Sequence, residues 1–298
     1  MSELQSPRSG LSSAAAGNGS CTFNTSSVEY LALKEQVGSE TTLENATELL
    51  RESYVLHAVC GHRNVVSLAG IAADPDTETY SGRFLATQLL ESSLPAVIYG
   101  PTSTDSVVLD SKAVHGFALD IACGLAYMHR HSLVHGDVKS PNVLVDLRTT
   151  PPTAKLCDFG HSANRIVPRY QRRMCTFGWA SPESLRDDDI STPSDVWSWA
   201  CIVWEMVNRE IPWRMCSHSE MVAAVGMCGL HPGRYIGNGC MNAKMCPLLK
   251  RMTDRCWVYN PTHRVSMERC VRALRRNRQR TIKRCEMDLW EFFGEVEG

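Results

Sequence analysis

The segment DVWSWACIVWEMV, residues 195–207, is apolar on every helical face. A helix of that kind has no side to turn toward water, so it must run through the middle of a body of other helices. Those helices are supplied nearby. From Ser111 onward, Val114, Phe117, Ala118, Ile121, Leu125 and Met128 recur at three- and four-residue spacing, which predicts a helix with one buried stripe. The first third of the chain has a different texture. Short β-prone pieces between Cys21 and Lys34, CTF and VEYLALK, precede one helical stretch, ETTLENATELLRESYVLHAV, periodic through Leu43, Leu49, Leu50 and Leu56. Two further apolar runs follow, VVSLAGIAA and GRFLATQLL. The expectation is an α+β chain of two lobes, a small β-rich one with one main helix and a larger, mostly helical one, with a cleft between them.

Composition excludes several function classes. Thirty-one Lys and Arg against 32 Asp and Glu leave a net charge of -1, so no global field draws nucleic acid or an anionic membrane. No run approaches the roughly 18 apolar residues of a membrane span, and the Ser-, Gly- and Ala-rich start lacks the apolar core of a secretion signal. The 13 cysteines are odd in number and contain no Cys-x-x-Cys pair, which fits reduced thiols better than zinc or a disulfide framework. Asn18, Asn24 and Asn45 match the glycan acceptor pattern, but without a signal peptide they are expected to stay bare. A cytoplasmic address is expected, with a nuclear one open through the basic stretch RALRRNRQRTIKR, which reads first as a solvated final helix. Residues 1–16 read as a flexible leader.

The chemistry is concentrated in LVHGDVKSPNVLVD, residues 133–146, and AKLCDFG, residues 154–160. Short apolar pieces bracket Asp137, Lys139, Asn142 and Asp158 and hold them on rigid loops. Phosphoryl transfer needs oxygen ligands for Mg2+ ions that neutralise nucleotide phosphates, together with a carboxylate that takes the proton of the attacking hydroxyl. Two Asp and an Asn can fill those roles. A lone Asp of this kind would ordinarily be a loop cap. The joint spacing argues otherwise.

These segments resemble the eukaryotic protein kinase superfamily, over about residues 17–275. HGDVKSPN, DFG and the lysine of LALK follow one another in the order of the kinase signature set. The SPE at 181–183, Asp195 and Arg264 fall at kinase-like distances beyond them. The resemblance implies a bilobal kinase fold, with an N-lobe over 17–91, a C-lobe over 92–275 and a tail over 276–298. It implies Asp137 as catalytic base, Lys139 on the γ-phosphate, Thr176 meeting both, and Asn142 and Asp158 as metal ligands. For ATP it implies Gly17 and Gly19 of the phosphate loop, Ala32 against adenine, Lys34 on the α- and β-phosphates, Thr87 as gatekeeper, the hinge Gln88, Leu89 and Leu90, and Leu144. Glu44, Glu48 and Glu52 share one helical face, and Glu52 is chosen as the partner of Lys34 because GHRNVV, starting nine residues later, resembles the segment that follows this helix. Glu183 with Arg264, and Asp195 at the head of the central helix, are expected to be structural.

Lys139 with Thr176 points to Ser or Thr as acceptor, and HGDVKSPN, SDVWSWACIVWEMVNREIPW and VAAVGMCGLHPGRY resemble the Raf, Mos and tyrosine-kinase-like branch, Mos most of all. The expected cofactors are ATP and Mg2+ and the expected partners are protein substrates, with no membrane, nucleic acid disfavoured and the oligomeric state open. Two departures stand out. Thr22 and Asn24 occupy the later places of the glycine loop after Gly17 and Gly19, and Gly136 stands where the family has Arg. Without that Arg, activity is expected not to depend on phosphorylation of the activation segment at positions such as Ser162 or Tyr170. Arg165, Arg169, Arg172 and Arg173 in that segment could attract acidic substrates. The departures also leave room for a pseudokinase, a binding module without catalysis.

Overall fold

The computed structural model describes residues 31–35, 43–73, 83–101, 107–162, 176–187, 189–234 and 245–276. Gly17, Gly19, the leader, Tyr170, the four arginines from Arg165 to Arg173 and the tail beyond 276 lie outside the described residues. Strands β1 (Leu31–Glu35), β2 (Leu68–Ala73) and β3 (Arg83–Gln88) form an antiparallel sheet in the order β1-β3-β2, with helix α1 (Leu43–Ala58) against it. Leu49, Val55, Leu56 and Val59 are buried, whereas Leu50 is 48% exposed. Leu49 and Leu56 are two turns apart and share a face, while Leu50, one residue on, is rotated by about 100° off that stripe. Its place in the expected periodic set is corrected accordingly.

The helical part begins with α2 (Leu94–Tyr99) and α3 (Ser111–Arg130). The side chain of Asp110 caps α3 by accepting from Ala113 N at 2.7 Å, and all six residues of the expected stripe are buried. Helix α5 (Thr192–Asn208) starts from a capping box between Ser191 and Ser194, with Pro193 in its first turn. Every residue from Ser194 to Met206 is buried, and Trp197, Trp199 and Trp204 are each at most 1% exposed. Each large apolar side chain so removed from water contributes roughly 1.5–3 kcal/mol, which makes α5 the axis of the core. Helices α3 and α7 (Pro247–Cys256) pack on it, and the short α4 (Pro182–Arg186) and α6 (His218–Met221), a π-helical turn over Val222–Met227 and a final helix α8 over 267–276 complete the lobe.

A second sheet, β4 (Ser92–Ser93), β5 (Val143–Asp146) and β6 (Thr153–Leu156), lies where the two parts meet. Val66 N donates to Leu156 O, Leu156 N to Asn64 O, and Asn64 Nδ2 to Ala154 O, all at 2.9 Å. The loop after α1 is thereby stitched to β6. At Gly124 of α3 a Cβ would come within 2.8 Å of Asn64 O and of the Leu156 side chain, so only glycine permits this approach. No described helix is long and apolar enough to cross a membrane, and the described cysteines are free thiols.

Candidate active site

Sheet register sets the upper half of the site. Lys34 of β1 pairs with Leu85, and Ala32 with Thr87. The ammonium of Lys34 donates to Glu52 Oε1 at 3.0 Å and Oε2 at 2.9 Å, and to Asp158 Oδ1 at 2.8 Å. Glu52 also accepts from Phe159 N at 3.3 Å. Phe159 is buried and tilts against the His135 ring, while Asp158 takes a left-handed φ of 62°. Burial alone would lower the Lys34 pKa, but the charges of Glu52 and Asp158 prevail and hold the ammonium above its ordinary range. Burial would raise that of Asp158, yet Lys34, and then His135 and His161, keep it below the usual carboxylate range.

The lower half lies on the loop between α3 and β5. Thr176 Oγ1 donates to Asp137 Oδ1 at 2.8 Å, Lys139 Nζ sits 2.7 Å from Asp137 Oδ2, and the same Nζ donates to Thr176 Oγ1 at 2.9 Å. Asn142 Nδ2 donates to Asp137 O at 2.9 Å and Oδ2 at 3.0 Å. Burial pushes the Asp137 pKa up, but the hydrogen bonds from Lys139 and Thr176 outweigh it and the carboxyl is held low. Asn142 O accepts from Cys157 N at 3.0 Å, which ties this loop to the residue before Asp158. Burial pushes the Cys157 thiol up to about 12, away from the thiolate form.

Asp195 holds the loop from beneath. Its Oδ2 accepts from His135 N and meets His129 Nε2, each at 2.9 Å, and its Oδ1 accepts from Gly136 N at 3.0 Å. His135 Nε2 lies 3.2 Å from Cys157 O and Asp137 N donates to His135 Nδ1, a pair of contacts that the Nε2–H tautomer satisfies. Glu183 and Arg264 form a bidentate pair at 2.5 and 2.6 Å, with both side chains at most 3% exposed.

Other sequence expectations are placed differently. Gln88 accepts from Lys155 Nζ at 3.0 Å through its side chain, Leu90 is buried, Leu89 is 45% exposed, and Leu144 is half-buried on β5 opposite Ser93 and Lys155. Ser162, at 5% exposed and with its hydroxyl donating to His135 O at 3.0 Å, is packed beneath the loop. Gly136 is more than a missing Arg. Its φ is 80°, and an added Cβ would stand 2.8 Å from His161 O. Sequence reasoning also missed Glu205, wholly buried in α5, which accepts from Tyr99 Oη, Ser140 Oγ and Trp179 Nε1. An acid in a helix buried all round must find partners, and that was the available signal.

Comparison with known proteins agrees with this geometry. The protein kinase domain family matches residues 15–274. The serine/threonine-protein kinase CTR1 of Arabidopsis thaliana is 29% identical over 251 residues, covering 82% of this chain and 28% of that protein. Mitogen-activated protein kinase kinase kinase 12 of Rattus norvegicus is 26% identical over 236 residues, covering 78% and 24%. Mitogen-activated protein kinase kinase kinase 13-B of Xenopus laevis is 37% identical over 112 residues, covering 37% and 11%. The chain thus spans between about a tenth and three tenths of the length of these relatives. With a match over most of its length, the chain belongs to the protein kinase domain family.

Proposed function

We propose that this protein is an active protein serine/threonine kinase that transfers the γ-phosphate of ATP to Ser or Thr hydroxyls of proteins. The observation that carries this reading is the pairing of two clusters, Lys34 with Glu52 and Asp158 above, and Asp137 with Lys139, Asn142 and Thr176 below, joined by the bond from Cys157 to Asn142. Lys34, held by Glu52, would bind the α- and β-phosphates. Asp137, kept ionised by Lys139 and Thr176, would orient the acceptor hydroxyl and take its proton. Lys139 would meet charge on the phosphoryl group being transferred. Ala32, Thr87, Leu144 and the backbone of residues 88–90 would hold adenine.

The donor set suits Mg2+. Lys34 occupies Oδ1 of Asp158 and Asp137 occupies Nδ2 of Asn142, which leaves carboxylate and amide oxygens, hard ligands, for a cation. Such an ion would take one or two protein ligands and complete its shell on nucleotide phosphates. When bound, Mg2+ supplies charge neutralisation of the phosphates. Free thiols and a near-neutral charge fit action in the cytoplasm.

Incubation with γ-labelled ATP, Mg2+ and a generic protein substrate tests the reading, with Asp137→Asn and Lys34→Met beside the wild type. Label on Ser and Thr in the wild type alone is the expected result. Equal labelling in all three would remove catalysis and leave a non-catalytic binding module.

A further inference from the structure

A cavity of about 210 Å3 opens between α3 and α8, lined by His62, Cys123, Arg130, Glu268, Arg272 and Arg275. It shares no residue with the Lys34 and Asp137 clusters. Its volume falls below the roughly 300–1,000 Å3 of pockets for drug-sized ligands, so it suits a small group. Three guanidinium groups line it, those of Arg130, Arg272 and Arg275. Against them stands one lining carboxylate, that of Glu268. Glu268 approaches Arg130 only to 3.9 Å, with both side chains more than half exposed, a pair that neutralises little. Arg275 spends a donor on the Cys123 sulfur at 3.6 Å, a weak acceptor. His62 adds no compensating negative charge, and burial together with Arg130, Arg63 and Arg275 disfavours its protonation.

The described groups therefore leave an excess of two positive charges, which one dianion would balance. A phosphate monoester carries about -1.5 to -2 at neutral pH, and its oxygens match the donor forks of Arg. A run of rings borders the cavity. His62 stacks on Tyr127 at 4.6 Å, Tyr127 meets His131 at 4.4 Å, and Arg130 lies over Tyr127 at 6.0 Å. Residues flanking a phosphorylated side chain could lie along such a shelf. We propose that the cavity between α3 and α8 binds a phosphorylated side chain of a protein partner. This assigns a role to part of the basic C-terminal stretch, in which Arg272 and Arg275 are one turn apart. A nucleic acid would instead need a continuous stripe of positive charge along which to track.

The test uses the full chain with its nucleotide site filled by adenosine and a fluorescein-labelled phosphoserine peptide with glycine flanks, read by fluorescence polarisation. The phosphopeptide should bind at least about tenfold more tightly than its serine or glutamate counterparts, and Arg272→Glu with Arg275→Glu should weaken it by about the same factor. Both positions are exposed, and thermal unfolding reports whether the double variant keeps its fold. In the wild type, the phosphopeptide should also slow carbamidomethylation of Cys123 while leaving the exposed Cys228 unaffected, as read by mass spectrometry. Equal affinity for serine and phosphoserine peptides, indifference to the double substitution or to Cys123 modification, or displacement by an oligothymidylate would each overturn the proposal.

Discussion

The hydroxyl of Ser140 donates to Oε1 of Glu205 at 2.5 Å, in a place where neither residue is more than 1% exposed. The bond fastens the loop that carries Asp137 to the central helix α5. Tyr99 Oη, from α2, adds a donor at 2.7 Å and Trp179 Nε1, next to Thr176 in the chain fold, another at 2.8 Å. Glu205 thus gathers the segment of Trp179, the loop of Asp137 and α2 on one carboxylate. Burial pushes its pKa up, and the three donors work against that rise.

Removing the carboxylate strands those donors. Glu205→Ala is expected to cost about 3–5 kcal/mol, because several buried donors lose their acceptor at once, while Glu205→Gln keeps the shape and one oxygen and costs about 1–2 kcal/mol. Urea unfolding midpoints check the order of the two variants. In the Gln variant kcat should fall with KM for ATP little changed, since the perturbed loop carries Asp137 and not Lys34.

Much of this was legible in the chain, where the signal is local. The stripe of α3 and the all-round burial of α5 follow from periodicity, because each residue there answers to its own neighbours three and four positions away. Lys34, Glu52 and Asp158 are far apart in sequence, and what brought them together on paper was motif order. Glu205 escaped because its partners Tyr99 and Trp179 lie 106 and 26 positions away, beyond any periodic window. Gly136 could be read as a lost charge, but its φ depends on the packing of His161, which no pattern in the chain displays. The burial of Ser162 is likewise invisible in the chain, since it is the fold of 158–162 back under His135 that covers it.

Arg264 and Glu183 make a second prediction. Besides the paired carboxylate, the guanidinium donates to Val258 O, Pro193 O and Tyr259 O at 2.7–3.1 Å and lies 5.0 Å over the Trp197 ring. Arg264→Ala would leave a buried carboxylate and three carbonyls unmet, at a cost of about 3–5 kcal/mol. Arg264→Lys keeps the charge but not the fork, and should recover only part of that loss. Comparable unfolding free energies for wild type and the Ala variant would contradict this account.

Restoring the family's Arg at position 136 is expected to harm the protein. A non-glycine residue in the left-handed region costs about 1–2 kcal/mol, and the contact of a Cβ with His161 O adds to it. Gly136→Ala isolates the backbone part and Gly136→Arg adds charge. Both should lower the melting temperature and kcat. A Gly136→Arg protein as stable and active as the wild type would show that the loop readily takes another conformation.

His231 is expected to contribute to the loss of stability in acid. Its ring is 5% exposed and stacks on Trp257 at 4.3 Å and 17°, and Nδ1 has no hydrogen-bond partner among the described residues. Burial, with the nearby charge of Arg234, brings its pKa down from 6.5 to about 4, and Asp254 only partly opposes them. The folded protein therefore holds this ring neutral where the unfolded chain would protonate it. The contribution is intact above pH 6.5 and is lost progressively as pH falls toward 4, because there the unfolded state binds the extra proton. At pH 5 the loss amounts to about 2 kcal/mol. His231→Phe keeps the stack on Trp257 and removes the titration, so the gap in unfolding free energy between variant and wild type should move in favour of the variant by that amount between pH 7.5 and pH 5. Parallel stability curves for the two proteins across this range would mean that another group governs the acid limb.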